Sequence, residues 1–339
     1  MANDQDVGRA DSPPGLDIAA LKTRLTAALA EDVGPGDITS LALIPEDAAA
    51  TARLVARQAG LICGLCLVQP ILDLAAEKAS RPRVTETFAP GFPTPSFEQV
   101  IADGDRAEAG DILGRVSGSL RAILAAERTM LNFLQHLSGI ATLTAAYAAA
   151  CAGTGAVLLD TRKTTPGWRD LEKYAVRKGG GRNHRMGLYD AVLIKDNHID
   201  GARLSAAEAV RRAREYVAQA PPPVNIPAGG GWATPGSPAG GGWATLVEIE
   251  VRSLDDLRAC LAAGPDIVMA DNFTVAMLRE AVAMVRAHRG DGIMPLLEAS
   301  GGITLQNVRE VALAGVDRIA VGALTHSAPA IDIALEVVT

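Results

Sequence analysis

Aromatic residues are scarce, at 4% of 339 positions, and there are only four cysteines. With 48% hydrophobic residues and so few rings, the core must be built from Ala, Leu and Val, as in an α/β protein. Cys63 and Cys66 form a single "CGLC", while Cys151 and Cys260 stand alone. No second pair or neighbouring histidine completes a zinc site, and the apolar flanks "GLICGLCLV" mark small buried residues. Such thiols fit a reducing compartment, and a cytoplasmic location is expected. Net positive charge is lacking too: the formal value is −7, which excludes a protein that coats nucleic acid. The N-terminus "MANDQDVGRADSPP" has no apolar core, so residues 1–14 are expected to be a disordered leader rather than a signal peptide. Residues 129–159 contain no Asp, Glu, Lys or Arg. Asn132, Gln135, His136 and the break at "AGTG" make them a buried helix followed by a strand, not a membrane span. Neither H-x-H nor H-E-x-x-H occurs, which counts against a metal-dependent barrel hydrolase.

What is present is unevenly placed. Between Asp160 and Lys195 there are nine lysines and arginines against four acidic residues, inside an acidic chain. The stretch opens with "DTRKTTPG", a forked cation, a point cation and three hydroxyls in one turn. Such a cluster suits a small polyanion better than a polymer.

Two textures divide the chain. Ile18, Leu21, Leu25 and Leu29 have helical spacing, "EDVGPGDITS" breaks that helix, and short strand-like runs follow. Residues 15–122 are therefore read as a small α+β domain, with 327–339 as a candidate addition to it. Met130, Phe133, Leu134 and Leu137 mark one face of a long helix. Six continuous apolar runs follow: "AVLLD", "AVLIK", "LVEIEV", "DIVMAD", "MPLLEAS" and "DRIAVG". Apolar on both faces and separated by helical patterns, they read as parallel strands of a βα barrel with fewer than eight clear strands, over 123–326. Each run ends at, or is followed at once by, a residue capable of chemistry, as the active face of such a barrel requires. Residues 221–245, with "PAGGGWAT" twice, are expected to be a flexible insert on the opposite face.

The run "DTRKTTPGWRDLEKYAVRKGGGRNHRMGLYDAVLIKDNHI" resembles the central signature of the quinolinate phosphoribosyltransferase (nicotinate-nucleotide pyrophosphorylase) family. The likeness extends from "EDVGPGDITS" through "ERTMLNFLQHLSGIAT", "VEIEVRSLDD", "DNF" and "SGGIT" to "VGALTHSAPAIDIAL". It implies transfer of phosphoribosyl from phosphoribosyl pyrophosphate to quinolinate, with loss of CO2 and formation of nicotinate mononucleotide. It also implies that Arg128, Thr161, Arg162, Lys163, His184, Arg185 and Lys195 bind the anionic substrates. Ser300, Gly301, Gly302, Gly322, Ala323 and His326 would cradle the 5-phosphate. Glu250, Asp271 and Lys163 would carry catalysis, the two carboxylates through a magnesium ion on the pyrophosphate. A homodimer, or a dimer-based oligomer, with shared active sites is implied as well.

Other residues of the stretch have plainer readings. Arg169, Lys173, Arg177 and Lys178 are expected on a solvated helix face, His136 and His288 as ordinary helix residues, and Glu298 as a strand-end residue bonded to backbone. The competing functions are a sister phosphoribosyltransferase for another pyridine or a molybdenum-related ligand, and a Schiff-base barrel aldolase using Lys195.

Overall fold

The computed structural model describes residues 16–79, 94–219, 246–288 and 294–338. The expected leader and the 221–245 insert lie outside them. By packing, the chain divides into two units. Among the described residues, one comprises Cys151–Arg162 and Arg182–Val321, and the other Asp17–Ala150, Lys163–Gly181 and Gly322 onward. The long helix Leu120–Cys151, read from the sequence as the start of the barrel region at 123, packs almost entirely within the second unit, which the C-terminal residues from Gly322 also join.

All six apolar runs form strands of the first unit: Val157–Leu159, Val192–Ile194, Val247–Val251, Ile267–Asp271, Leu296–Ser300 and Arg318–Ala320. They make one parallel sheet. From 192–194 onward they pair in chain order, and 318–320 then pairs back onto 157–159. A last strand that returns to the first is the strand order of a βα barrel, here with 157–159 and 192–194 at the two ends of the sheet. Between the strands 157–159 and 192–194, the bridge from Leu159 to Arg182 extends the sheet. Val247, Ile249, Ile267, Val268 and Ile319 are fully buried, as continuous apolar runs covered on both faces should be. Ser253 and Thr274 cap the helices Leu254–Leu261 and Val275–Ala287 by accepting the backbone N–H groups of Asp256 and Met277.

The second unit holds a four-stranded antiparallel sheet. Ala49–Ala56 lies between Ile112–Ser119 and Ile333–Val338, so the C-terminal strand closes the N-terminal sheet. Leu21, Leu25 and Leu29 bury one face of the helix Ile18–Val33, which Asp17 caps by accepting from the Ala20 N–H. Met130, Phe133, Leu134 and Leu137 are buried along Leu120–Cys151. The helix Arg169–Lys178 departs from expectation, since residues 171–176 are all buried and Lys173 has no exposure. Its charge pattern suggested a wet face, but neighbours cover the helix on both sides. No helix among the described residues is long and apolar enough to cross a membrane. Cys63, Cys151 and Cys260 are buried, Cys66 is half-buried, and all four are free. Burial, with Asp103 nearby, pushes the Cys66 thiol up to about 12, which suits inert packing rather than redox chemistry.

Candidate active site

In the first unit, Asp160 ends the strand 157–159 and is fully buried. Its Oδ1 accepts the His184 backbone N–H at 2.7 Å and its Oδ2 accepts the Asn183 amide at 2.6 Å. The aspartate of "DTRK" therefore clamps residues 183 and 184 beside the first barrel strand. Arg185 follows at once, with Nη1 donating to the Ala191 carbonyl at 3.1 Å. Burial lowers the pKa of its guanidinium, and the like charge of Arg162 lowers it further. Glu248 and Asp190 oppose this in part, and the fold thus holds two forked cations close enough to repel beside acidic neighbours.

Beneath them lies a cluster that sequence reading missed. His184 Nε2 is 3.3 Å from Glu248 Oε2 and 3.4 Å from Glu298 Oε1, and Arg318 Nε donates to Glu298 Oε2 at 2.7 Å. Glu248 and Glu298 have no solvent exposure. Glu298 stands within the strand Leu296–Ser300 and pairs with side chains, which corrects its reading as a strand-end residue bonded to backbone. Burial alone would lower the His184 pKa, but the two carboxylates reverse this and carry it to about 9. The Arg185 backbone N–H pulls the other way, because it donates to Nδ1 at 2.9 Å, where a second ring proton would sit. With Nδ1 accepting that N–H, the ring carries a proton on Nε2, which faces both carboxylates. The donor atoms of His184, Glu248 and Glu298 lie within 4.8 Å of one another, the reach of one metal ion. Arg318 already supplies a facing positive charge and the imidazole Nε2 faces both carboxylates, so the cluster reads as an ion network. Burial disfavours a charged Glu298, yet His184 and Arg318 overcome this and hold its carboxyl below the usual range. Glu298→Ala should therefore cost about 3–5 kcal/mol of stability in urea unfolding. The stabilisation is present at neutral pH and lost as pH falls through the lowered pKa. A loss below about 1 kcal/mol would contradict the network.

The remaining strand ends of this unit carry the expected groups. The Lys195 ammonium rests on a carboxylate oxygen of Glu250. Asp271 ends the strand 267–271, and Ser300 is its register partner on the next strand. Asn272 Nδ2 donates to Asp271 Oδ2 at 2.7 Å. Ala270, Asn272, Ser300, Gly301 and Gly302 help line a cavity of about 240 Å3. Gly301 has φ 86, and a Cβ there would lie 2.3 Å from Asn272 Oδ1, so no other residue fits without displacement. Thr161 and Arg162 are half-buried.

The second unit gathers its own group. Lys163 is exposed, and its carbonyl accepts the Thr325 hydroxyl at 2.8 Å. At Gly322 a Cβ would stand 3.0 Å from Lys163 Cδ and 3.2 Å from His326 Nε2, so these three residues meet. Ala323 opens the short helix Ala323–His326. The turn after Lys163 is anchored by Glu172, which accepts the Thr165 N–H at 3.2 Å and pairs with His136 at 2.9 Å. Trp168 stacks on Phe133 with ring centroids 4.5 Å apart and meets the edge of His136. His136 is thus a support of this turn, beyond the ordinary helix residue expected. Arg128 is exposed on its helix.

Comparison with known proteins gives a consistent result. The sequence matches the family description "Quinolinate phosphoribosyl transferase, C-terminal domain" over 140–228 and 242–336, and the corresponding N-terminal domain over 37–138. The unmatched gap falls inside the insert. The nicotinate-nucleotide pyrophosphorylase [carboxylating] of Mycobacterium leprae is 39% identical over 320 residues, covering 94% of this chain and 97% of that one. A probable nicotinate-nucleotide pyrophosphorylase of Bacillus subtilis is 34% identical, covering 94% and 93%. Among solved structures, NadC from Streptococcus pyogenes superposes with a TM-score of 0.78 at 33% identity, over 96% of this chain and all of that one. The nicotinate-nucleotide pyrophosphorylase from Francisella tularensis gives 0.77 at 33%, over 97% and 100%.

Proposed function

The chain belongs to the quinolinate phosphoribosyltransferase family, and from that premise we propose which of its residues carry which part of the reaction. It is a decarboxylating pentosyltransferase of NAD biosynthesis. The pyridine nitrogen of quinolinate attacks the anomeric carbon of phosphoribosyl pyrophosphate and pyrophosphate leaves. The 2-carboxylate then departs as CO2, its electron pair staying on the pyridinium ring until a proton replaces it. Nicotinate mononucleotide results.

The observation that carries the residue assignment is the pair Arg162 and Arg185. Burial and the charge of Arg162 disfavour the Arg185 guanidinium, Glu248 and Asp190 oppose this in part, and a bound anion would favour it further. Quinolinate has two adjacent carboxylates, and forked donors match them as lysine cannot. His184 supports this pair from below, through the Arg185 N–H. Thr161 lies beside Arg162 at the same strand end, and Lys195, bonded to Glu250, adds a point charge. Ser300, Gly301 and Gly302 are assigned to the 5-phosphate, because the turn is small and lines a cavity. Lys163, Gly322, Ala323 and His326, gathered within the second unit, offer a cation and small residues suited to phosphate oxygens.

Glu250 and Asp271 are hard oxygen donors at the ends of neighbouring strands, a set that fits magnesium. An ion held by these two carboxylates would supply positive charge to the departing pyrophosphate. The carboxylates themselves offset positive charge developing on the ribose. The proposed assembly is a homodimer in which Arg128 serves the neighbouring chain's site.

Release of pyrophosphate and CO2 with quinolinate, against nicotinate as acceptor, tests the acid pocket. Quinolinate should exceed nicotinate in kcat/KM by at least roughly a hundredfold, since nicotinate leaves one guanidinium unanswered. Equal values would overturn the arginine assignment.

A further inference from the structure

Asn272 is one of two non-glycine residues with positive φ among the described residues, at φ 57. Three contacts fix it there. Its Nδ2 donates to Asp271 Oδ2 at 2.7 Å. Its backbone N–H donates to the Ser300 carbonyl at 2.8 Å, on the adjacent strand. Its Oδ1 and Cγ fill the place where a Cβ of residue 301 would stand, at 2.3 and 2.6 Å. The left-handed conformation is what allows one short side chain to turn back onto the residue before it while its amide reaches across to the next strand. The same amide group thus touches both Asp271 and the Gly301 turn, beside the cavity that Ser300, Gly301 and Gly302 line.

We infer that Asn272 is a positioning residue, which orients the Asp271 carboxylate toward a divalent cation and fixes it relative to the Ser300–Gly302 turn. The inference rests on the assignment of Asp271 to the cation. One oxygen of Asp271 is engaged by Asn272, which stops rotation of the carboxylate and leaves the other oxygen as the directed ligand. Asn272 also explains why the turn carries glycine at 301, because the amide occupies the side-chain position.

The test uses the full-length enzyme. Asn272→Gly keeps the positive φ without strain and deletes the amide; Asn272→Ala deletes the amide while restoring the backbone cost, so agreement between them separates the side chain from the backbone. Mn2+ affinity in the presence of phosphoribosyl pyrophosphate is read by electron paramagnetic resonance, and quinolinate affinity by calorimetry. Both variants should bind Mn2+ at least fivefold more weakly and lose about tenfold in kcat, with quinolinate affinity within twofold of wild type. A residue that only supports folding would lower the melting temperature and leave the metal affinity of the folded fraction intact. Mn2+ affinity and kcat both within twofold of wild type would overturn the inference. Asp271→Ala in the same titration isolates the premise: if it binds Mn2+ as wild type does, the assignment of Asp271 to the cation falls, and the role of Asn272 with it.

Discussion

Replacing Glu250 or Asp271 by alanine should lower kcat by roughly a hundredfold or more while quinolinate affinity barely changes. The split follows from where the groups stand. Glu250 holds the Lys195 ammonium at the end of 247–251, and Asp271 sits beside Ser300 at the end of 267–271. Neither carboxylate can attract a dianionic acid. Each can act on the ribose, where positive charge grows as pyrophosphate leaves, and on a cation bound to that leaving group. Removing one therefore raises the barrier without loosening the ground-state complex. Glu250→Ala also frees Lys195, so its quinolinate affinity should hold or improve. Stopped-flow binding and single-turnover kinetics give the two quantities separately. A large rise in the quinolinate dissociation constant with kcat intact would place these carboxylates in the acid pocket instead.

The barrel strands were legible because parallel strands covered on both faces leave unbroken apolar runs, and all six runs became strands. The cations after Asp160 were legible because an acidic chain has no structural need for so dense a positive stretch. The ion network was not, although a signal existed. Glu248 in "LVEIEV", Glu298 in "MPLLEAS" and Arg318 in "DRIAVG" each interrupt an apolar run with a charge. Glu298 pairs with Arg318 because they are register partners on neighbouring strands, and register is not a local property. Glu248 and Glu250 lie two apart on one strand and so on one side of it, yet one is fully buried and the other holds Lys195 at the strand end. Asp160 misled in the opposite direction. It looked like an active-face residue, and its two oxygens instead hold the backbone of His184 and the amide of Asn183. Lys173 misled for a third reason: helical periodicity tells which residues share a face, but not how many faces are covered.

Arg128 leads to the prediction that most directly probes assembly. On the helix Leu120–Cys151 its neighbours Thr129, Met130 and Leu131 are buried, whereas Arg128 is exposed on its own chain. In the proposed homodimer it enters the quinolinate pocket of the neighbouring chain, whose own Arg162 completes that pocket. Arg128→Ala and Arg162→Ala should each be nearly inactive alone. In a mixed dimer the two defects fall into one site, and the other site has neither. Equal amounts reassociating at random give mixed dimers in half of the population, each with one sound site of two. Activity should return to roughly a quarter of wild type. If Arg128 acted within its own chain, every site in every dimer would carry a defect and mixing would restore nothing. Pull-down through a tag on one variant establishes that subunits exchange. An exchanged mixture as inactive as its parents would rule the shared site out, because the arithmetic leaves no arrangement in which a shared pocket stays dead in both halves of a mixed dimer.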